Sequence, residues 1–173
     1  MSLSQLGAGP EAPEVVHAVV EIPKGSSNKY EFDPVAGVFM LDRVLYSPLY
    51  YPFDYGWIAG TLSEDGDPLD ILVMTTHPTF PGCVLPARPI GALRMTDEHG
   101  PDLKILAACH VDPRYDNIQR LEDVPEHARR ELVFFFEAYK QLEEKNVEVF
   151  GWEAREVAHD EILRSIERAA GMR

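Results

Sequence analysis

An acidic segment at residues 63–70, SEDGDPLD, is the part of the sequence best suited to chemistry. It holds four carboxylates in eight residues and neither Lys nor Arg, so its charge needs an external partner. The glycine and proline inside it predict a turn, which lets Asp65, Asp67 and Asp70 converge where the next strand begins. Carboxylate oxygens grouped in this way are ligands for hard divalent cations.

Two simpler interpretations compete with a metal site in this segment. An EF-hand loop requires an oxygen ligand at position five, glycine at six and an acid at twelve. Counting from Asp65, those positions hold Leu69, Asp70 and Thr76, which excludes that loop. A solvated acidic turn, the commoner role of Asp-Gly segments, stays open.

A second pair of acids lies in residues 96–104, TDEHGPDLK. If the strands on either side form a hairpin, Asp97 and Asp102 flank its turn and face one site, with Lys104 on the same side as Asp102. Alone, this segment is also consistent with an ordinary polar hairpin loop. The presence of two acidic clusters favours a site.

Cations and phenols spread along the chain form the third set: Lys29, Arg43, Tyr55, Tyr139 and Lys140. Arg43 has an alternative role as a surface residue paired with Asp42. Tyr139 lies on the apolar stripe of a predicted helix, so packing explains it unless its hydroxyl reaches a pocket. Each residue taken singly is weak support for a site.

Short strands separated by Pro or Gly are predicted to position these residues. The alternation of KYEF places Lys29 and Glu31 on one face of a strand. Fourteen prolines, mainly between the apolar runs, favour a many-stranded barrel over a parallel α/β sheet. The predicted strands are 15–22, 29–32, 38–41, 69–74, 90–95 and 103–106.

Two helices are predicted late in the chain. From Pro125, apolar residues recur at steps of three and four as far as Leu142, which defines one amphipathic helix. A second helix fits residues 160–169, with Ile162, Leu163 and Ile166 on its buried side.

Length and charge limit the class of protein. A chain of 173 residues with 45% hydrophobic content predicts one domain over residues 1–173. The net charge of −13 disfavours binding to nucleic acid or to anionic membranes, and it opposes a polyphosphate unless metal ions reverse the local sign.

The termini and cysteines add little chemistry. Residues 1–14, rich in Gly, Ala, Ser and Pro, predict a loose N-terminal arm. Cys83 and Cys109 are expected to be small buried apolar residues rather than a disulfide. The start of the chain lacks a basic segment followed by an apolar run, and no stretch of about 18 apolar residues occurs, so we expect a cytoplasmic protein.

Several motifs in register resemble the soluble family I inorganic pyrophosphatases. The segment DGDPLD at 65–70, followed by ILV, matches that family's signature. Further matches in the family's order are EIPKG at 21–25, NKYE at 28–31, LDR at 41–43, YPFDYG at 51–56, MTDE at 95–98, DLK at 102–104 and FFEAYK at 135–140. The resemblance extends from Glu21 to Trp152.

The resemblance implies an α+β fold that is mainly β with flanking helices, built on a closed barrel related to the OB-fold. It implies hydrolysis of pyrophosphate, bound as its magnesium complex, with Mg²⁺ as cofactor. Asp65, Asp70 and Asp102 would hold an activating ion, and Asp70 would also touch a second. Asp67 would act as general base on the attacking water. Bacterial relatives are commonly hexamers, so a homohexamer is expected.

The remaining roles follow from the same resemblance. Glu31, and Asp97 together with Asp102, would contact metal ions that arrive with the substrate. Tyr55 and Lys104 would be supporting polar groups in the catalytic and substrate-binding sets, and Glu21 would lie behind the metal ligands. The phosphates would be held by Lys29, Arg43, Tyr139 and Lys140.

Two other classes of function compete with this interpretation. A non-catalytic divalent-cation module would explain the aspartates but has no use for the cations at Lys29, Arg43 and Lys140. A nucleotide phosphohydrolase would need a base-stacking pocket or a glycine-rich phosphate loop, and the sequence contains no GxxxxGK[ST] motif.

Overall fold

The computed structural model describes residues 3–172, which form eight β-strands, two α-helices and several short 3₁₀ turns. The strands are β1 (Val16–Ile22), β2 (Asn28–Asp33), β3 (Val38–Val44), β4 (Asp54–Ile58), β5 (Asp70–Met74), β6 (Val84–Asp97), β7 (Gly100–Cys109) and β8 (Glu148–Ala154). The helices are α1 (Glu126–Ala138) and α2 (Arg155–Gly171). The prediction of a mainly β fold with flanking helices is confirmed.

Six strands form one sheet in the order β1-β4-β5-β7-β6-β8, and β1 also pairs with β6. That additional pairing joins the first residues of β6 to β1, from Val16 opposite Ala87 to Val19 opposite Val84. The result is a partly closed, OB-like ring of five strands, in agreement with the expected OB-related architecture. Valine, isoleucine and leucine side chains from these strands fill its interior.

The hairpin predicted to have Asp97 and Asp102 on either side of its turn is confirmed. Strands β6 and β7 pair antiparallel, with Met95 opposite Asp102 and Asp97 opposite Gly100. The register shifts between Pro89 and Gly91. Proline cannot donate a ladder hydrogen bond, so it is tolerated at this irregular point of a long strand.

A separate two-stranded sheet, β2 with β3, carries the first cations. Lys29 pairs with Arg43 across it, so the two side chains belong to neighbouring positions. The hairpin is attached to the main sheet by aromatic packing: the Phe32 ring stacks on Trp57 of β4 at 5.6 Å between centroids. This contact fixes the hairpin beside the ends of the central strands.

The two helices differ from their predicted lengths. Helix α1 buries Leu132, Phe135 and Phe136, as its apolar spacing predicts, but it ends at Ala138. Leu142, predicted to lie on the same face, is 62% exposed in the following 3₁₀ turn. Helix α2 begins five residues earlier than predicted, and it buries Ile162 whereas Leu163 is 43% exposed.

Residues 3–14 are packed onto the sheet, which corrects the expectation of a loose arm for that part of the chain. Leu3 and Leu6 pack against the cluster that contains Trp57. The backbone N–H of His17 donates to the Ala8 carbonyl at 2.8 Å. Residues 1 and 2 lie outside the described range.

Both cysteines are free thiols that pack partly buried against the core. Within residues 3–172, neither α-helix is long and apolar enough to cross a membrane.

Candidate active site

One cleft of about 1150 Å³ brings together the residues that the sequence singles out from every part of the chain. It lies where the ends of β5, β6 and β7 meet the β2–β3 hairpin and the end of α1. All thirteen predicted site residues line it: Glu21, Lys29, Glu31, Arg43, Tyr55, Asp65, Asp67, Asp70, Asp97, Asp102, Lys104, Tyr139 and Lys140.

The acidic loop, residues 59–69 between β4 and β5, is shaped by local hydrogen bonds. At its base, the buried Thr61 hydroxyl donates to the Ile58 carbonyl at 2.6 Å and accepts from the Leu69 N–H at 3.0 Å. At its tip, the Asp67 N–H donates to the Asp65 carboxylate at 3.0 Å, and Gly66 adopts a φ of 94°, in the left-handed region. The turn therefore leaves the Asp65 and Asp67 side chains exposed to the cleft.

Lys104 connects the two acidic clusters. Its ammonium nitrogen lies 2.7 Å from Asp70 Oδ2, 2.9 Å from Asp102 Oδ2 and 3.1 Å from the Tyr55 hydroxyl. These carboxylates meet because β5 and β7 pair in parallel, with Ile71 opposite Ile105. The lysine is 2% exposed. Burial alone would lower its pKa, but the neighbouring carboxylates outweigh burial and raise the pKa well above its usual range.

Negative charge is crowded beside this lysine. Burial raises the pKa of Asp102, and repulsion by Asp70 adds to that effect despite the attraction of Lys104. Burial, then Asp65 and Asp70, raise the pKa of Asp67. Both carboxyl groups therefore retain a proton more readily than they would in water.

Two further carboxylate groups of the cleft behave differently. Burial raises the pKa of Glu21 to about 7, although its carboxylate accepts a hydrogen bond from the Phe32 N–H at 2.9 Å. Glu98, by contrast, has its pKa lowered to about 2, because its own backbone N–H, Lys140 and Lys145 outweigh burial.

Lys140 extends into the cleft from the end of α1 and joins the β6–β7 turn. Its ammonium nitrogen lies 3.1 Å from Asp97 Oδ2 and 3.1 Å from Glu98 Oε2. Lys145 contacts the same Glu98 at 3.4 Å. No role was predicted for Glu98 or Lys145. Glu98 stands next to Asp97 in the turn, which was the available signal, whereas nothing local marks Lys145.

Lys29 and Arg43 are held by carboxylates at the other wall of the cleft. Lys29 forms ion pairs with Glu31 and with Asp42, the latter at 3.2 Å. Arg43 contacts Asp42 at 3.4 Å, so the alternative pairing with its neighbour is present, yet the guanidinium also lines the cleft. Its Nε lies 3.1 Å from Glu143 Oε1 without the alignment of a hydrogen bond. Glu143 is a third residue for which the sequence predicted no role.

The tyrosines contribute phenol groups at the floor of the cleft. Tyr139 is packed against Phe135 and Tyr51, so the packing role foreseen for it is present, and it also lines the cleft. Burial raises the pKa of Tyr55 well above its usual range and raises that of Tyr139. Both hydroxyls therefore keep their protons near neutral pH, and the Tyr55 oxygen accepts a hydrogen bond from Lys104 at 3.1 Å.

The chemistry of the donor set fits hard divalent cations. Eleven carboxylates line the cleft against seven Lys and Arg side chains. Within the described residues no three acids, histidines or cysteines are already grouped as a metal site. Lys104 lies between Asp70 and Asp102 instead. Oxygen donors spread around a cleft suit Mg²⁺, which is typically held by one or two carboxylates together with substrate phosphates.

A β-ring whose cleft sets carboxylates against lysine, arginine and phenol groups defines the class of enzymes that act on phosphate substrates through positioning and electrostatics. The sequence profile of the inorganic pyrophosphatases matches residues 18–170. The chain belongs to the inorganic pyrophosphatase family, whose reaction is the hydrolysis of pyrophosphate to two phosphates, and the resemblance to soluble family I members is thereby confirmed.

Similar proteins share both sequence and fold with this chain. An inorganic pyrophosphatase of Geobacillus stearothermophilus is 52% identical over 145 residues, which cover 84% of this chain and 88% of the relative. One from Thermus thermophilus is 49% identical over 173 residues, covering 98% and 99%. A crystal structure of inorganic pyrophosphatase from Thermus thermophilus superposes with a TM-score of 0.96 at 48% identity, covering 98% of this chain and 99% of that one.

Proposed function

We propose that this chain hydrolyses the magnesium complex of pyrophosphate by direct attack of water, with Asp67 as general base. The observation that carries the proposal is the convergence of all thirteen residues on one cleft. No covalent intermediate is needed, because phosphoryl transfer is catalysed mainly by positioning and electrostatic stabilisation.

The carboxylates divide into ligands and a base. Asp65, Asp70 and Asp102 are the proposed ligands of an activating Mg²⁺, and Asp97 and Glu31 contact ions that arrive with the substrate. When bound, these ions neutralise phosphate charge and make a water molecule more acidic. The supporting observation is the raised pKa of Asp102 and its repulsion by Asp70, which a cation would relieve.

Asp67 differs from its neighbours in position. Its side chain is exposed at the tip of the acidic loop and makes no ion pair with any residue of the described range 3–172, whereas Asp70 and Asp102 are held by Lys104. In the proposed step the water oxygen forms a bond to phosphorus and Asp67 takes a proton. The bond from phosphorus to the bridging oxygen breaks, and its electron pair leaves with the second phosphate.

The cations and phenols hold the two phosphates. Arg43 can offer two parallel N–H donors to phosphate oxygens, whereas Lys29 and Lys140 act as point charges. Tyr139 donates from the floor of the cleft. Lys104 and Tyr55 keep the carboxylates of Asp70 and Asp102 in place, and Glu21 supports the β2 backbone at Phe32.

We further propose a one-domain cytoplasmic enzyme that assembles as a homohexamer. Exposed apolar side chains such as Met40, Tyr46 and Phe134 offer surface for contacts between copies. Light scattering of purified protein at micromolar concentration tests the assembly, and a monomer would contradict it.

The deciding assay compares phosphate release from pyrophosphate and from ATP, each with and without Mg²⁺. The proposal expects Mg²⁺-dependent release from pyrophosphate and little from ATP. Equal release from ATP would indicate a nucleotide phosphohydrolase, and no release from either would indicate a non-catalytic cation-binding module.

A further inference from the structure

The C-terminal helix α2 holds the acidic loop through both backbone polar groups of Leu62, its N–H and its carbonyl. The Leu62 N–H donates to the Ser165 carbonyl at 2.9 Å, and the Leu62 carbonyl accepts from the Arg168 guanidinium, also at 2.9 Å. Leu62 lies three residues before Asp65. The family resemblance extends only from Glu21 to Trp152, so no site role was predicted for the helix that follows it.

Arg168 is itself fixed in place within α2. Its Nη2 donates to Glu161 Oε1 at 2.9 Å, and its Nη1 donates to the Ser165 hydroxyl at 3.0 Å. Ser165 is completely buried and in turn donates to Glu161. Arg168 also lies 3.8 Å from the exposed Glu64 of the acidic loop. A guanidinium with several fixed partners is pre-organised to hold a carbonyl in one direction.

The rest of the acidic loop has few other supports. Thr61 fixes its base on β4, and the tip is formed by short-range bonds such as Ser63 N–H to the Asp67 carbonyl at 2.7 Å. Such a turn keeps its own shape but does not set its angle to the sheet. The contacts of Leu62 with α2 supply that second anchor, so they determine where the Asp65 and Asp67 carboxylates lie in the cleft.

We propose that Arg168 is a positioning residue that sets the acidic loop through the Leu62 carbonyl, and that this is the contribution of helix α2 to the reaction. The inference rests on the proposed function, because it assumes that Asp65 and Asp67 work from this loop.

Hydrogen exchange of the metal-free protein tests the anchor without reference to activity. In Arg168→Ala, amides of residues 62–69 should exchange roughly tenfold faster, the scale expected for one lost hydrogen bond to a charged group. Arg155→Ala is the matched control, because Arg155 also joins α2 to a backbone carbonyl, that of Gln119 at 3.2 Å, away from this loop. Equal exchange of the loop in both variants overturns the proposal.

Kinetics test whether the anchor acts through Asp67. Arg168→Ala should lower kcat by roughly 10- to 100-fold, as small misplacements of a reacting group do, and should change KM much less. In the Asp67→Asn background, Arg168→Ala should lower kcat by less than about threefold further, because the effects of coupled residues are not additive. Equal losses in both backgrounds overturn the proposal.

A conservative variant keeps the test usable if Arg168→Ala does not fold. Arg168→Lys retains the charge beside Glu161 but has one ammonium for the several acceptors, so its loop exchange and kcat should lie between those of wild type and Arg168→Ala. Wild-type values for both would overturn the role of the guanidinium. A wild-type rate in Asp67→Asn would instead contradict the proposed function, and the exchange result would still decide whether Arg168 anchors the loop.

Discussion

Each phosphate-binding cation proposed for the cleft already has a carboxylate partner in the folded protein. Lys140 contacts Asp97 and Glu98, whereas Lys29 contacts Glu31 and Asp42. When pyrophosphate binds with Mg²⁺, these ion pairs would separate. The lysines and arginine would then bind phosphate oxygens, and the carboxylates would bind metal ions. The charges are already oriented by the fold, so little reorganisation is needed during the reaction.

Asp67→Asn is the sharpest test of an individual residue. Asparagine keeps the size and one acceptor oxygen but cannot take a proton, so kcat at saturating Mg²⁺ and pyrophosphate should fall about 10²–10⁴-fold. The acid limb of the pH profile should also disappear. Asp70→Asn is the comparison, because it should mainly weaken metal binding and recover partly as Mg²⁺ is raised. Recovery of Asp67→Asn with excess Mg²⁺ would make Asp67 a ligand instead.

Glu21 predicts a pH dependence of stability. Its folded pKa of about 7 lies above its ordinary value of 4.5, because the carboxyl is buried. Between these values the unfolded chain loses the proton while the folded chain keeps it, so the free energy of unfolding falls as pH rises. In urea denaturation with EDTA, the free energy of unfolding should decrease between pH 4.5 and about 7. That decrease should be smaller by roughly 1–3 kcal/mol in Glu21→Gln than in the wild-type protein. Identical slopes in both proteins would place the titration elsewhere.

Secondary-structure elements show where sequence reasoning succeeds. Strands β1 and β5 were predictable because β-branched and apolar residues run without interruption. Strand β4 was missed because its sequence, DYGWI, contains a buried acid and a glycine, which are unusual in strands. Asp54 is accommodated there by a tertiary contact, since its carboxylate accepts from the Lys24 N–H at 2.7 Å. Strand β8 was missed because its residues alternate without a strong apolar face.

The cleft could be predicted in composition but not in its internal pairing. Motifs with acidic residues and glycine identified Asp65, Asp67, Asp97 and Asp102 from local sequence alone. The position of Lys104 between Asp70 and Asp102 depends on the parallel register of β5 and β7, which no local pattern encodes. Glu143 and Arg168 were missed for the same reason, since each meets its partner from a distant part of the chain.

Gly56 of β4 leaves no room for a side chain against β1. A Cβ there would lie 1.9 Å from the Val19 carbonyl oxygen, which belongs to backbone that cannot rotate away. Gly56→Ala should therefore lower the free energy of unfolding by about 1–3 kcal/mol or more. Gly7→Ala is the control, because a Cβ at Gly7 meets nothing within 4 Å. Urea denaturation compares the two, and equal stabilities would show that β1 can shift at no cost.

The whole molecule carries a net charge of −13, which opposes an anionic substrate. The eleven carboxylates of the cleft strengthen that opposition locally. In the proposed reaction, metal ions would reconcile the acidic protein with pyrophosphate, because they would bring positive charge between them. The same net charge is the reason for the expectation that nucleic acid is not a partner.

The identity of the divalent ion should decide whether the enzyme is active. Activity should require free Mg²⁺, and Ca²⁺ should inhibit it, because Asp65, Asp70 and Asp102 accept either ion. Ca²⁺ binds oxygen at 2.3–2.6 Å with six to eight ligands, whereas Mg²⁺ binds at about 2.0–2.1 Å in a strict octahedron, so a water beside Ca²⁺ is less acidic and differently placed. Phosphate release should be measured at fixed Mg²⁺ with rising Ca²⁺, and then with each ion alone. Inhibition that excess Mg²⁺ relieves would indicate competition for the same carboxylates. Full turnover with Ca²⁺ as the only divalent ion would contradict the proposed ligand set.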